Sequence, residues 1–402
     1  MAGFAIRDEM NGIAEAPGKL WFWELEEAVI DAGRCIQCGA CIAACPSDSI
    51  GVGHDDLPAL VKMCTGCSLC WDFCPRGGLR YEATWDGILT GQGTGSGDPP
   101  GTGLGAVAEQ HSARVVEDLP GTQDGGVVSA LLIALLEEGA IDGAVVARED
   151  PEETWKGVPY VATTPGEVRG CGGSFYNQTL ALGHLDLDGY DLPPDPRLAL
   201  VGTPCEVQGL RAMQARPWTH WGTSHVDAVV LTVALLCTKS FDYRGLMLRE
   251  LRERRGLDLD RVGRVDVIRG RLVVDDTDGR TILDEPIRDF HGAALKGCDE
   301  CADFLGYGAD ISVGSVGSTH GYSSVLVRTA AGRAAFDLVR PRLELRNLEA
   351  PDRLLKLQAT DRRVALEALR RPLDPDGPLF VEFDDHVAAY AGSDRAPVRR
   401  AR

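Results

Sequence analysis

Apolar and polar positions along the chain follow two periods. The segment FWELEEAVIDAG (22–33) carries apolar residues at helical spacing and predicts a short lead helix. Further on, GTQDGGVVSALLIALLEEGAIDGAVVARE (121–149) predicts a Gly-led buried helix over Val127–Leu136, a Gly stop at Gly139, then a strand over Gly143–Ala147. The stretch 197–214, RLALVGTPCEVQGLRAMQ, predicts strand, turn and helix. The stretch 225–256 repeats that order with Cys237 at its turn. Strand–helix alternation predicts an α/β domain with a mostly parallel sheet and some α+β elements. Its ligand sites are expected in the loops after the strands. Residues 262–285 alternate around Asp278-Gly279 and predict an antiparallel meander. Residues 309–329 predict two strands joined by a Gly-rich turn, and 330–371 a charged helical region.

The boundaries fall where the composition changes. Residues 1–30 lead into a cysteine-rich module over 31–90. A Gly/Pro-rich linker, GQGTGSGDPPGTGLGA, occupies 91–106. The α/β domain is expected over 107–335, and 336–402 form a helical carboxyl segment whose tail beyond Gly392 is expected to be disordered. The net charge of −19 argues against nucleic-acid binding. The longest apolar runs, Val127–Leu136 and Ala228–Cys237, are too short to span a membrane. The first residues lack the basic and apolar regions of a signal peptide. Abundant thiols then point to the reducing cytoplasm, with any membrane association made through partner subunits. There is no G-x-S-x-G and no H-E-x-x-H to suggest a hydrolase.

The chemistry lies in the cysteines. Eight of the 13 form two copies of C-x2-C-x2-C-x3-C-P: Cys35, Cys38, Cys41, Cys45 with Pro46, and Cys64, Cys67, Cys70, Cys74 with Pro75. This is the ligand run of a bacterial-type ferredoxin holding two [4Fe–4S] clusters, in which the fourth cysteine of each run serves the other cluster. One cluster is therefore expected on Cys35, Cys38, Cys41 and Cys74, the other on Cys64, Cys67, Cys70 and Cys45. Zinc sites use four ligands, usually as two separated CxxC pairs, and disulfides belong in small secreted chains. Neither matches a doubled run with its proline. His54, Asp55 and Asp56 between the halves read as a solvated turn. Of the other five cysteines, Cys298 and Cys301 form one CxxC, while Cys205 and Cys237 close strands. Convergence of these loops predicts a third [4Fe–4S] cluster on Cys205, Cys237, Cys298 and Cys301, with Cys171 as the competing fourth ligand. Buried free cysteines are the bland alternative.

The segments TQDGGVVSALLIALLEEGAIDGAVV (122–146), GTPCEVQGLR (202–211), LLCTKSFDYRGL (235–246) and CDECADFLGYGADISVGSVGS (298–318), with GYSSVLVRTAAG (321–332), occur in an order that resembles the coenzyme F420 hydrogenase/dehydrogenase beta-subunit family. The resemblance implies a flavin-binding α/β domain with FAD, coenzyme F420 as substrate, and an electron-accepting or electron-donating protein partner. A deazaflavin carries hydride and a cluster carries single electrons, so a flavin must stand between them. It also implies cofactor contacts at Gly125 and Gly126, at Ser174, Tyr176 and Asn177, at Thr203 and Pro204, and at Gly314, Val316 and Gly317. Lys239 and Lys296, in a chain poor in lysine, are candidates for phosphate or F420 carboxylates. Arg169 and Arg328 are further candidates. No side-chain acid or base stands out for hydride transfer. Two other readings stay open: reduction of a tetrapyrrole or other organic substrate, and a non-catalytic electron-transfer subunit.

Overall fold

A computed structural model of the protein describes residues 19–85, 103–117, 119, 121–215 and 224–399. Residues 1–18 of the lead segment and 91–102 of the expected linker lie outside them. The lead helix starts as α1 (Phe22–Leu25) and continues as a π-type turn, Glu26–Ile30. In the cysteine module, α2 (Ala40–Ala43) and α3 (Leu69–Asp72) are single turns that follow the two cysteine loops. Between them lies an antiparallel pair, β1 (Ile50–Val52) and β2 (Pro58–Leu60).

The larger part is built on one eight-stranded sheet. In chain order its elements are β3 (Glu109–Val115), α4 (Val127–Glu137), β4 (Gly143–Glu149), β5 (Gly157–Ala162), α5 (Pro165–Gly170), β6 (Leu198–Gly202), α6 (Pro204–Gln214) and β7 (Val229–Leu235). The π-type helix α7 (Arg244–Arg254) leads into a separate antiparallel meander, β8 (Val262–Ile268), β9 (Arg271–Asp276) and β10 (Thr281–Pro286). Then follow β11 (Ile311–Gly314), β12 (Ser323–Val327), α8 (Ala330–Val339), β13 (Leu343–Asn347), α9 (Pro351–Ala368) and α10 (Phe383–Tyr390).

The large sheet has the order β13-β3-β12-β11-β7-β6-β4-β5. Only its centre is parallel: β11 with β7, β7 with β6, and β6 with β4. The outer ladders are antiparallel. The expected mostly parallel sheet is therefore a mixed one, because β12 returns directly beside β11 without a crossover helix. The charged region 330–371 is likewise not helical throughout. It contains β13, whose Leu343 is buried against the sheet edge while its outer residues stay polar.

Alternate residues of the central strands face two different layers. Ala144 and Val146, with Ala199, Leu231, Ile311 and Val325, pack beneath α4 and α8. On the other face Val145, Leu198 and Leu200 share one core with Leu182 and Leu210, and also with Ile36, Ala40, Leu69, Phe73 and Tyr81 of the cysteine module. The two modules thus share a continuous core. Close backbone approach seals the contact: a Cβ on Gly39 would lie 2.6 Å from the Leu180 carbonyl oxygen and from the Gly183 nitrogen. The amide of Leu180 donates to the Gln37 carbonyl at 3.0 Å.

The tail beyond Gly392 is ordered as far as it is described, against expectation. Arg395 is buried, and the Val398 amide donates to the Glu27 carbonyl at 2.8 Å. The physical reason is a buried acid, Glu300, that draws in the Arg395 guanidinium at 2.8 Å.

Candidate iron–sulfur centre

Each cysteine loop of the module is a tight left-handed turn followed by one helical turn. Gly39, at φ 80°, precedes α2 with Cys41, and Ser68, at φ 70°, precedes α3 with Cys70. Cys35, Cys38, Cys41 and Cys74 line one small cavity, closed by Leu25, Val29, Ile36 and Pro58. The fourth cysteine of the second run has therefore crossed to the first set. The thiols act on each other as such a set would. Burial, and then Cys35, Cys38 and Cys74, push the Cys41 thiol well up. Burial also raises Cys35 to about 12. In the second group, burial followed by Cys67, Cys64 and Cys45 raises Cys70, and burial raises Cys67 to about 11. Buried, mutually repelling thiols become thiolates only beside a compensating cation, and bound iron supplies one. Backbone amides already point at the sulfurs: Gln37 N–H to Cys35 Sγ at 3.4 Å, Ser49 N–H to Cys45 Sγ at 3.2 Å and Gly66 N–H to Cys64 Sγ at 3.3 Å. The donor set fits two cubanes.

Of the other five cysteines, Cys205, Cys237 and Cys298 each have Cys301 as a neighbour. Cys205 lies in the first turn of α6, where the Gln178 amide donates to its sulfur at 3.2 Å and Thr203 Oγ1 lies 3.0 Å away. Cys237 follows β7, with its amide on the Phe304 carbonyl at 3.2 Å. Cys298 and Cys301 sit on a 3-10 turn, Lys296–Glu300, and at its end. Burial comes first in raising all four thiols. Next come Cys298 for Cys237, and Cys38 and Cys301 among the groups that raise Cys205. This group therefore adjoins the first cavity through Cys38. Cys171 is elsewhere: it caps α5, packs against the core on the other face of the sheet, and has Arg148 and Glu167 as its charged neighbours.

No motif or spacing signals the charges that join these groups. Arg34, next to Cys35, is fully buried and forms a two-pronged pair with Glu300, Nε at 2.9 Å and Nη2 at 2.7 Å. Glu300 also accepts from Arg395 Nη1 at 2.8 Å and Tyr390 OH at 3.0 Å. Burial would raise its carboxyl, but Arg34, then Arg76 and Arg395, outweigh burial and hold it down to about 2. Arg34 Nη1 meets His386 Nε2 at 2.7 Å, and burial, then Arg34, depress that imidazole to about 3, so it accepts as the neutral ring. Glu206, buried beside Cys205, is pushed up to about 7 by burial. The flanking positions of Arg34 and Glu300 beside cysteines were the only hint available.

The topology puts several of the other candidate residues on one edge, the carboxyl ends of the parallel strands. Thr203 and Pro204 follow β6, Gly314 ends β11 and Gly317 lies beyond it. Gly125 reaches the same edge: its N–H donates to Ser323 Oγ at 3.2 Å, and a Cβ there would lie 2.2 Å from the Ala113 carbonyl oxygen. Gly126, at φ 66°, is the N-cap of α4. Ser174 is half-buried in the loop after α5. Asn177 bridges to β5, accepting from Gly157 N–H and donating to its carbonyl, both at 2.8 Å. Tyr176 OH accepts from Val267 N–H of the meander at 2.9 Å. Val316 packs against the core shared with the cysteine module. Both lysines are engaged internally, Lys239 by Asp299 and Lys296 by Asp394 at 2.9 Å. Arg328 is buried and donates to the carbonyls of Leu104, Ala106 and Leu305, so it secures the chain entering β3. Arg169 is exposed on α5.

A ferredoxin-like iron–sulfur module fused to a mixed α/β domain is the class that fold and cysteines define. Family models agree along the chain: residues 28–80 match the 4Fe-4S dicluster domain, 111–186 the coenzyme F420 hydrogenase/dehydrogenase beta subunit N-term, and 195–351 its C terminus. The chain belongs to the coenzyme F420 hydrogenase/dehydrogenase beta-subunit family. It is 34% identical to the coenzyme F420 hydrogenase subunit beta of Methanothermobacter thermautotrophicus, over 58% of this chain and 79% of that one. It is 29% identical to a subunit of the F(420)H(2) dehydrogenase of Methanosarcina mazei, over 79% of this chain and 85% of that one. Against the coenzyme F420-dependent sulfite reductase of Methanocaldococcus jannaschii the identity is 28% over 84% of this chain, which spans only 51% of that relative. A chain from the F420-reducing [NiFe] hydrogenase complex of Methanosarcina barkeri superposes with a TM-score of 0.60 at 28% identity, covering 67% of this chain and 93% of its own. Among the described residues no helix is long and apolar enough to cross a membrane.

Proposed function

We propose that the protein is an iron–sulfur flavoprotein that exchanges hydride between coenzyme F420 and FAD and passes single electrons to or from a partner protein. Three [4Fe–4S] clusters carry them: one on Cys35, Cys38, Cys41 and Cys74, one on Cys45, Cys64, Cys67 and Cys70, and one on Cys205, Cys237, Cys298 and Cys301. The observation that carries this reading is that Cys205, Cys237 and Cys298 all have Cys301 as a neighbour, with Cys205 also next to Cys38. FAD, when bound, converts a hydride into single electrons, and the clusters relay them. The chain's own residues supply the positions. Gln178 and Thr203 orient the Cys205 sulfur, and the shared core fixes one cysteine group against the next. The carboxyl edge bearing Gly126, Ser174, Thr203, Pro204, Gly314 and Gly317 is where the proposed flavin and deazaflavin bind.

The test is anaerobic. Purified, cluster-loaded protein is mixed with reduced F420 and a one-electron dye, and both absorbances are followed. Rapid flavin-dependent oxidation of the deazaflavin is expected. No turnover with FAD and clusters present would overturn the F420 assignment.

A further inference from the structure

Arg76 stands two residues after Cys74 and is 2% exposed. Its Nε donates to the Gly297 carbonyl at 2.6 Å and its Nη1 to the Pro75 carbonyl at 2.8 Å. Pro75 follows Cys74, and Gly297 precedes Cys298. One guanidinium therefore spans a cysteine loop of the dicluster module and the CxxC loop of the α/β domain. The loops touch there: a Cβ on Gly297 would lie 2.0 Å from the Arg34 carbonyl oxygen.

A buried charge is costly unless an opposite charge compensates it. The other buried arginines at this junction, Arg34 and Arg395, both reach the Glu300 carboxylate. Arg76 gives these bonds to neutral carbonyls instead, and the sulfur of Cys301, then the Glu300 carboxylate and the sulfur of Cys205, are among the groups that act on its charge. Cys74 on the other side also feels it. A guanidinium cannot escape the cost by losing its proton, so its compensation comes from the Glu300 carboxylate nearby and from the anionic sulfur sites on either side of it.

We propose that Arg76 is a fixed counter-charge shared by two adjacent [4Fe–4S] centres, that of Cys74 and that of Cys301, and that it raises the reduction potential of both. Reduction adds one negative charge to a cluster, and a cation held beside it in a dry site favours that form. The centre of Cys64 lies beyond the first and is not affected. The proposal rests on the three-cluster reading above. Arg76 acts as a positioning charge and touches no substrate.

The experiment is an anaerobic redox titration of the full-length protein with dithionite and mediator dyes, followed by electron paramagnetic resonance. Arg76→Gln keeps an N–H donor for Gly297 but no charge. It is expected to shift the reduction equilibrium of both adjacent centres about tenfold towards the oxidised form, a fall of about 59 mV for one electron, and to leave the distal centre unchanged. Arg76→Lys keeps the charge and is expected to hold the native potentials. Unchanged potentials in a fully loaded Arg76→Gln protein would overturn the proposal. So would an equal fall at all centres, or the same fall in Arg76→Lys, which would mark a purely mechanical role. If Arg76→Gln fails to load iron, Arg76→Lys decides: native potentials support the proposal and a fall overturns it. About eight irons per native chain instead of about twelve would defeat the three-cluster reading itself. The effect of Arg76 on the Cys74 centre would then still be read separately.

Discussion

Replacing Glu300 by glutamine should weaken the joint between the two cysteine-bearing parts. The carboxylate is fully buried and accepts from Arg34 twice, from Arg395 and from Tyr390. Its carboxyl lies at about 2 against an ordinary 4.5, with burial opposing and Arg34 leading the favourable side. That difference, at about 1.4 kcal/mol for each tenfold change in proton affinity, corresponds to about 3–4 kcal/mol in favour of the charged folded form. Breaking a buried ion pair by removing one partner costs a similar ~3–5 kcal/mol. The amide would also turn an NH2 group towards guanidinium donors. The sign fixes the pH window. A carboxyl held low contributes fully above pH ~4.5, and the contribution disappears as pH falls towards 2. Glutamine does not titrate there. The gap between native and Glu300→Gln proteins should be about 3–4 kcal/mol at pH 7 and fall to roughly half or less by pH 3. Anaerobic urea unfolding, followed by tryptophan fluorescence at several pH values, measures it. A gap below about 1 kcal/mol at pH 7, or one that stays constant down to pH 3, would refute the reasoning.

Gly297→Ala should separate the CxxC loop from the Cys35 loop. A Cβ at 2.0 Å from the Arg34 oxygen needs about 1.4 Å of movement to reach the 3.4 Å of ordinary contact, and overpacking of this kind costs about 1–3 kcal/mol. Gly292→Ala, with nothing within 4 Å of its Cβ, is the neutral control. A thermal scan showing the two variants equally stable would contradict the contact. Cys205→Ser should lose about four irons per chain, whereas Cys171→Ser should lose none. Iron analysis reversing that order would reinstate Cys171 as a ligand.

Much of this protein is legible in its residues because the information is local. The doubled cysteine run encodes both its loops and the exchange of fourth cysteines between the two groups. The strand–turn–helix units at 198 and 229 show in apolar runs closed by Gly, Thr or Cys. The mixed edges of the sheet were not legible, since β3 (EQHSARV) carries little apolar signal and takes its place from pairing with β12 and β13. The ordered tail was missed because Arg395 is an ordinary surface charge until Glu300 is buried beneath it.

The order of residues carries the chemistry: which positions are thiols, how many sit within one turn of one another, and that they belong with iron rather than zinc. The neighbours across the molecule came from folding. It brought Cys205 beside Cys38, sent Cys171 to the opposite face, and placed Arg34 and Arg395 on Glu300, with Arg76 nearby across the same junction. Spacing along a chain fixes distances only over a few residues. Loops far apart in sequence are set together by the shared apolar core and by buried charges that must find partners.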